Sequence, residues 1–376
     1  MLRVLFILSG SHIPSDKNLN HFQRVYFLSR ETELTILARK GADFSVSAKQ
    51  GTRIVRSPWA GKIGQLIYAF FWLFSGKARK FDIVLTEPSI LGIGGFFCKL
   101  LKRCKWVVDI WDIPIRNNLK VNYITNLRCR ITRAIMKGLY NWADLFIVSI
   151  LPDIELKYFH LDEGKMLCLR NTIWLEPHLP EDHFPKNGDI FSILCSRSIH
   201  TSDMGLDILA QAYNLLNGKI KNVSLTIVGQ ILDHVKPQIK SLGGLKNVKI
   251  YGFIEYDELA ELIKSASVCV VPFKDVPDNA QTYNVKVVEY LSMGKPVVAP
   301  NIAGMRNMIE DGKNGLLFKA GDASDLAEKL LWLYRDVNLR ETLSHNAEKS
   351  AEQYDCKIKN HVIIEKLNQL VQTGRI

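Results

Sequence analysis

The sequence lacks the marks of several large protein classes. Its 376 residues include seven cysteines, Cys98, Cys104, Cys129, Cys168, Cys195, Cys269 and Cys356, an odd number with no Cys-x-x-Cys pair. Several lie in apolar runs, where a thiol acts as a small hydrophobe. A disulfide framework and a zinc framework are both unsupported, and a reduced intracellular setting is expected. The longest strongly apolar run, Ile63 to Phe74, is interrupted by Gln65 and falls short of the ~20 residues of a spanning helix. No Walker A sequence, no GxGxxG after the first apolar run and no HExxH occur. An ordinary P-loop enzyme, dehydrogenase or zinc hydrolase is therefore not expected. Solenoid repeats and low-complexity tracts are likewise missing. The amino-terminal apolar run covers only Val4 to Leu8, and no small-residue cleavage site follows. It reads as a buried first strand rather than a signal peptide.

What is present is the composition of a folded chain, 47% hydrophobic and 23% charged. At ~150 residues per domain the length suggests two domains. Charge is unevenly placed. Residues 1–171 hold 26 Lys and Arg against 13 Asp and Glu, whereas residues 172–376 hold 23 against 25. A basic half suits nucleic acid, anionic lipid or phosphorylated substrates. No helix-turn-helix, OB or RNP signature accompanies it, so nucleic acid is not expected as a partner.

Both halves alternate short apolar runs with longer amphipathic segments. Strands are predicted at Val4–Leu8, Leu34–Ala38, Ile83–Thr86, Trp106–Ile110 and Leu145–Ser149, then at Phe191–Cys195, Ser224–Val228, Val248–Tyr251, Val268–Val271 and Pro296–Ala299. Helices are predicted between them, among others at Phe22–Ser29, Ile131–Tyr140, Gly205–Leu216, Asp257–Ser265, Val285–Met293 and Ala323–Tyr334. Near-continuous apolar strands are buried on both faces, as in parallel sheets with right-handed helical crossovers. A cluster of Pro177, Pro180, Pro185 and Gly188 among acids marks a break. The expected fold is α/β, two Rossmann-like doubly wound domains facing across a cleft. Its parts are a first domain at 1–171, a linker at 172–189 and a second domain at 190–376, whose last helix is free to pack back on the first domain.

The most informative segment is Val285-Lys-Val-Val-Glu-Tyr-Leu-Ser-Met-Gly-Lys-Pro-Val-Val-Ala299. On a helix Lys286 and Glu289 share a face at i, i+3. Gly294 suits the residue after the helix end, with Pro296 beyond it. A carboxylate accepts hydrogen bonds and donates none, so Glu289 suits a ribose diol. A plain i, i+3 ion pair on the surface is the competing reading of the same two residues.

This segment resembles the signature of the family 4 (group 1) retaining glycosyltransferases, which have the GT-B fold. Further stretches are similar to that family in order and spacing: Ser224–Gly229, Asn247-Val-Lys-Ile-Tyr-Gly-Phe253, Asp257–Ala260, Ala266–Pro272, and Ile309-Glu-Asp-Gly-Lys-Asn-Gly-Leu-Leu-Phe318 followed by Gly321-Asp322. In the first half, Ala143–Ser149 resembles a family strand, and Asn171 stands where the family ends its first domain.

The resemblance implies transfer of a sugar from a nucleoside diphosphate sugar to a glycan or lipid-linked acceptor, in assembly of cell-surface polysaccharide or glycolipid. No separate cofactor and no metal are implied. Glu289 takes the ribose-binding position, and Arg197 that of the basic residue whose positive charge neutralises the diphosphate. Phe253 and Ile254 fall at the nucleotide base, and Gly304 at a glycine turn near the donor. Asp112 follows the place of the family's cleft histidine, which is Trp111 here, with Asp109 just upstream. Catalytic roles thus fall on Asp112, Arg197 and Glu289. Donor binding falls on Arg197, Phe253, Ile254, Gln281, Lys286, Glu289 and Gly304.

Some positions depart from the family pattern. Gln281 replaces a glutamate, Met204 replaces the phosphate-site lysine before Gly205, and Asn307 replaces a glutamate after the glycine turn. Asn20 and His21 stand near the usual paired glycines, with Arg24 retained, and Lys286 or Lys274 is available to replace the lost cation. A non-catalytic sugar-nucleotide-binding homologue and a GT-B sugar-nucleotide epimerase remain as alternatives. The aromatic run Ile63–Phe74 and the basic stretch Lys99 to Lys137 suggest an anionic membrane surface as a further partner. A cytoplasmic location, peripheral at the membrane, follows from that reading. A simply buried helix is the competing account of the aromatic run.

Overall fold

The computed structural model describes residues 1–8, 20–75, 80–110, 134–149, 161–170, 172–175, 190–197, 201–243, 245, 247–276 and 284–373. The chain divides into two compact units, Met1–Trp174 with Cys356–Ile376, and Leu175–Asp355. The last helix, Cys356–Gln372, thus belongs to the first unit. Most of the stretch 172–189 lies outside the described residues.

The first unit carries a seven-stranded sheet in the order β3-β2-β1-β4-β5-β6-β7. Its strands are β1 Arg3–Leu8, β2 Glu33–Ala38, β3 Arg53–Arg56, β4 Ile83–Thr86, β5 Lys105–Ile110, β6 Leu145–Val148 and β7 Met166–Cys168. Every pairing is parallel. Alternate side chains of the buried strands feed two separate cores, as the strand period of two requires. Leu5, Ile7, Val84, Trp106 and Val108 pack with Ala69, Trp72 and Leu73 of α2 (Gly61–Phe74), Cys98 of α3 (Gly92–Lys102) and Tyr140. Val4, Phe6, Leu8, Ile83 and Val107 pack with Phe22, Val25 and Leu28 of α1 (Asn20–Glu31) and with Ile363 and Leu367 of the last helix. Gly95 lets α3 lie close against the sheet. A Cβ there would stand 2.1 Å from Nε1 of Trp106, whose indole donates to Thr86 at 2.9 Å.

The second unit carries a six-stranded parallel sheet in the order β10-β9-β8-β11-β12-β13. Its strands are β8 Phe191–Ser196, β9 Val223–Val228, β10 Val248–Tyr251, β11 Val268–Val270, β12 Val297–Pro300 and β13 Gly315–Phe318. Both units are therefore Rossmann-like, with strand order reversing beside the first strand of each sheet. The helices at Leu206–Leu216, Tyr256–Ser265, Val285–Ser292 and Ala323–Arg335 fall where the apolar periodicity places them. Strand β13, buried throughout, was not predicted although Leu316-Leu317-Phe318 is apolar, and neither were β3 and β7. The latter two carry half-buried or exposed side chains at a sheet edge, so neither of them shows the continuous apolar run of an inner strand. Among the described residues six cysteines are free thiols, and no helix is long and apolar enough to cross a membrane.

At the carboxyl ends of β5 and β6 the first unit buries a polar network. Arg24 of α1 donates to both carboxylate oxygens of Asp109, at 2.5 and 3.3 Å. Its third bond, 2.6 Å, goes to Oδ1 of Asn360 on the last helix. Next to it the buried Lys359 donates to Ser149 at 3.0 Å and to Asn20 at 3.4 Å. Asp109 is fully buried and paired with Arg24.

Burial pushes the Lys359 ammonium down to about 7, the Arg24 charge acts in the same direction, and Asp109 and Cys356 oppose it. A neutral amine keeps two N–H donors, which matches the two acceptors present. Between pH 7 and the ordinary lysine value near 10.4 the unfolded chain binds a proton that the folded chain has released. Folding therefore becomes more favourable as pH rises through that window. Comparing wild type with Lys359→Met by chemical denaturation from pH 6.5 to 8.5 should show the wild type gaining stability faster. The excess slope approaches about 1.4 kcal/mol per pH unit for one whole proton. Parallel curves would show that Lys359 keeps an ordinary affinity for its proton.

Candidate functional site

In the second sheet the order reverses between β8 and β11. In open parallel sheets ligands bind beyond the carboxyl ends of the strands at that point. The segments that leave β8 and β11 are therefore the first to consider. Arg197 directly follows β8, and its backbone N–H bonds to the Val228 carbonyl of β9 at 2.7 Å. Its guanidinium lies over the ring of buried Phe273, 4.0 Å from the centroid, in the segment that leaves β11. The two segments are joined again by Lys274, whose ammonium meets Asp207 at 2.7 Å and whose N–H bonds to the Asp203 carbonyl at 3.0 Å. Met204 is buried here, in the place where a lysine was expected from the family pattern.

The helix Val285–Ser292 is capped by Asn284, whose side chain accepts from the Lys286 N–H at 3.0 Å. A helix N-terminus is electropositive and normally favours acidic residues in its first turn. This first turn holds no acid and does hold Lys286, so positive charge is concentrated where an anion would be held. Glu289 lies one turn on, with its side chain 4% exposed, and meets Lys286 at 2.7 Å. The i, i+3 pair forms, but its carboxylate is buried rather than spread on the surface. A carboxylate has about four acceptor sites, so the Lys286 bond leaves capacity for a diol.

Tyr290 ties that helix to Arg197. Its hydroxyl accepts from the Ser196 N–H at 2.8 Å, lies 2.8 Å from Ser196 Oγ, and donates to the Ser196 carbonyl at 3.3 Å. Burial holds the phenol well above its usual range, so it stays protonated. The structure thus brings Arg197, Lys286 and Glu289 to one end of the sheet. Phe253 and Ile254 follow the edge strand β10, two strands from β8. Phe253 is 85% exposed, and their turn is held by the Gly229 N–H, which bonds to the carbonyls of Tyr251 and Gly252 at 3.1 Å. Beside it lies a hollow of about 850 Å³ whose lining includes Gly229, Gln230, Ile231 and Tyr251. Gly304 is buried in the short helix Ala303–Arg306 after β12. Asp112, Gln281, Trp111 and Asn171 lie outside the described residues.

Sequence reasoning missed Phe273, Tyr290 and Asp207. Phe273 and Asp207 had a signal in their position next to motif residues at the ends of β11 and β8. Tyr290 had none, because a buried tyrosine reads as core until its hydroxyl partner is seen. No group of three His, Cys, Asp or Glu side chains with metal-site geometry occurs among the described residues.

Two parallel-sheet, Rossmann-like units of this kind make up the GT-B fold. The solved structure of HepE from Anabaena, in complex with UDP and glucose, aligns with a TM-score of 0.71 at 17% identity, covering 98% of this chain and 100% of that one. Residues 191–336 match the family described as Glycosyl transferases group 1. An uncharacterized glycosyltransferase of Methanocaldococcus jannaschii is 27% identical over 150 residues, 40% of this chain and 40% of its own length. The capsular polysaccharide biosynthesis glycosyltransferase CapM of Staphylococcus aureus is 25% identical over 176 residues, 46% of this chain and 43% of its own. The chain thus matches less than half the length of these curated relatives.

Gly205 sets how closely the two segments at the reversal point approach. It has φ +73°, and a Cβ there would stand 1.6 Å from the Pro272 carbonyl oxygen. Gly205→Ala should cost about 3 kcal/mol, from left-handed backbone strain and overpacking together. Thermal denaturation should show the midpoint of the second unit falling by roughly 6–12 °C. An unchanged midpoint would mean that the segments part without cost.

Proposed function

We propose that the protein moves a sugar from a nucleoside diphosphate sugar, bound on the second unit, to a glycan or lipid-linked acceptor. Configuration at the anomeric carbon is retained, and no metal ion or separate cofactor takes part. The observation that carries this reading is the convergence of Arg197, Lys286 and buried Glu289 at the carboxyl ends of β8 and β11. UDP in the HepE structure supports a nucleoside diphosphate donor, and the role in CapM's name supports cell-surface polysaccharide assembly. The setting proposed is cytoplasmic, peripheral at an anionic membrane face.

In this reading Glu289 accepts hydrogen bonds from the ribose hydroxyls, and backbone groups of Phe253 and Ile254 border the base. Gly304 and Gln281 border the donor, and Asp112 serves the acceptor side. The Arg197 fork and the capped helix start with Lys286 face the diphosphate. As the bond from the anomeric carbon to phosphate oxygen breaks, its electron pair goes to the diphosphate and positive charge gathers on the sugar. Fixed cations favour that separated state over the ground state. The acceptor oxygen then bonds to the anomeric carbon on the face the diphosphate has left, and its proton passes to the departing phosphate oxygen. No protein base of unusual strength is required.

Removing Glu289 should cost about 1.5–3 kcal/mol of donor affinity, the range for a hydrogen bond to a charged group. Calorimetry of Glu289→Ala with a panel of nucleoside diphosphates should show that loss while circular dichroism stays native. Wild-type affinity would remove Glu289 from the ribose. Arg197→Ala should lower the maximal rate more than donor affinity, because its charge acts most on the separated state. A wild-type rate would exclude it from the diphosphate. Transfer assayed in EDTA should match the untreated rate; loss restored by a divalent ion would contradict the metal-free mechanism.

A further inference from the structure

The apolar run on α2 has the opposite arrangement from an ordinary amphipathic surface helix. Its polar residue, Gln65, is fully buried and donates to the carbonyls of Leu8 and Leu37 at 2.8 and 3.1 Å. Ile63, Ile67, Phe70 and Phe71 point outward instead, Ile63 65% and Phe71 62% exposed. Spacing of i, i+4, i+7 and i+8 makes these one stripe. On α3 Leu100 and Leu101 are exposed in the same way, and beyond the helical stretch 134–140 so is Trp142.

These three helical segments form a continuous apolar surface. Ring contacts run from Phe71 to Phe70 at 6.4 Å, to Phe97 at 5.6 Å, to Phe96 at 5.5 Å and to Trp142 at 5.8 Å. Two hollows lie along this ladder. One, of about 330 Å³, lies between α2 and α3. The other, of about 340 Å³, lies between α3 and residues 134–139. They share Ile93 and Phe97, and their lining side chains are apolar throughout. A surface of this kind on a folded chain marks a binding face.

Charge says what covers it. No Asp or Glu occurs in Gly61–Phe74, in Gly92–Lys102 or in 134–142, whereas Lys62, Lys102 and Lys137 do, with exposed Arg103 just beyond α3; Lys99 also lies there, its charge met by Asp144 at 2.8 Å. We infer that this face docks on an anionic lipid bilayer, its aromatic ladder entering the acyl layer, lipid chains filling the two hollows and the cations meeting headgroup phosphates. Aromatic side chains with a basic rim and no acid suit that interface. A second copy of the chain would bring cation against cation. The inference deepens the membrane-proximal part of the proposed function and rests on it for its setting.

The test uses the whole protein with vesicles of phosphatidylcholine alone and of phosphatidylcholine and phosphatidylglycerol in equal parts. Wild type should float with the anionic vesicles and leave them at ~1 M salt, where screening shortens to about 3 Å. Phe70→Ser with Phe71→Ser should weaken anionic binding at least tenfold at low salt. Lys62→Glu with Lys137→Glu should weaken it at least as much while leaving any binding to neutral vesicles unchanged. Lipids brominated on the acyl chain should quench wild type more than Trp142→Phe. All the substituted side chains are exposed, so native circular dichroism is expected throughout.

Wild-type partition of the Phe70/Phe71 double variant would overturn the inference. So would a dimer in solution that Phe71→Glu disperses and that binds no vesicles, since a second copy would then be the occupant. Binding only to vesicles doped with a polyprenyl phosphate, regardless of bilayer charge, would overturn it in favour of an acceptor tail. Nucleoside diphosphate affinity, measured in the same samples, reports on the second unit alone. Its retention with no flotation defeats only the docking face; its absence with flotation intact defeats only the donor reading.

Discussion

One phenol holds the candidate donor site together. Tyr290 projects from a two-turn helix and meets both the backbone and the hydroxyl of Ser196, the last residue of β8. The neighbouring residue on each segment belongs to the candidate site, Glu289 before the tyrosine on the helix and Arg197 after the strand. Because a buried N–H left without a partner costs about 1–3 kcal/mol, the contact fixes the helix against the strand. Helix and strand cannot slide apart without exposing that cost, so the carboxylate and the guanidinium keep their spacing. Gly205 and the Lys274–Asp207 pair do the same for the segment leaving β11.

The first unit has the same reversal of strand order, yet treats charge differently. Where the second unit gathers cations beside an electropositive helix start, the first encloses Arg24, Asp109, Lys359 and Asn360 in its interior. Burying such a group is costly unless every partner is supplied, and here the last helix supplies them. A helix from the far end of the chain thus completes the polar interior of the first sheet. Topology alone therefore does not assign function. The two sheets offer equivalent positions, and the residues at those positions decide which of them faces a ligand.

Much of the fold was legible because buried parallel strands leave continuous apolar runs. Ile83–Thr86 and Val248–Tyr251 were placed to the residue. Strands β3 and β7 were not, since an edge strand that buries one face or less carries polar residues and no distinctive period. In the site, Lys286 and Glu289 were legible as an i, i+3 pair. Whether that pair was a bland surface contact depended on burial, which spacing does not encode. Phe273 under Arg197 and Tyr290 on Ser196 are contacts between segments 76 and 94 residues apart, and a local pattern carries no trace of them.

The aromatic run on α2 shows how a correct local reading can point to the wrong environment. A dozen mostly apolar residues broken by one glutamine looks like a buried helix with a flaw. The flaw is the anchor: Gln65 satisfies the carbonyls that β1 and β2 leave open at their ends, and a buried amide is favourable only with such partners. Once Gln65 must face the sheet, geometry turns Ile63, Ile67, Phe70 and Phe71 outward, because residues two, five and six positions away lie on other faces of a 3.6-residue turn. The exposed aromatic stripe is therefore a consequence of closing the strand ends with an amide from this helix. The absence of any acid from the three segments that share the stripe is a separate choice of residues, made position by position. Strand-end closure explains the orientation of the helix; the composition of the three segments, with lysines and no Asp or Glu, is independent of it.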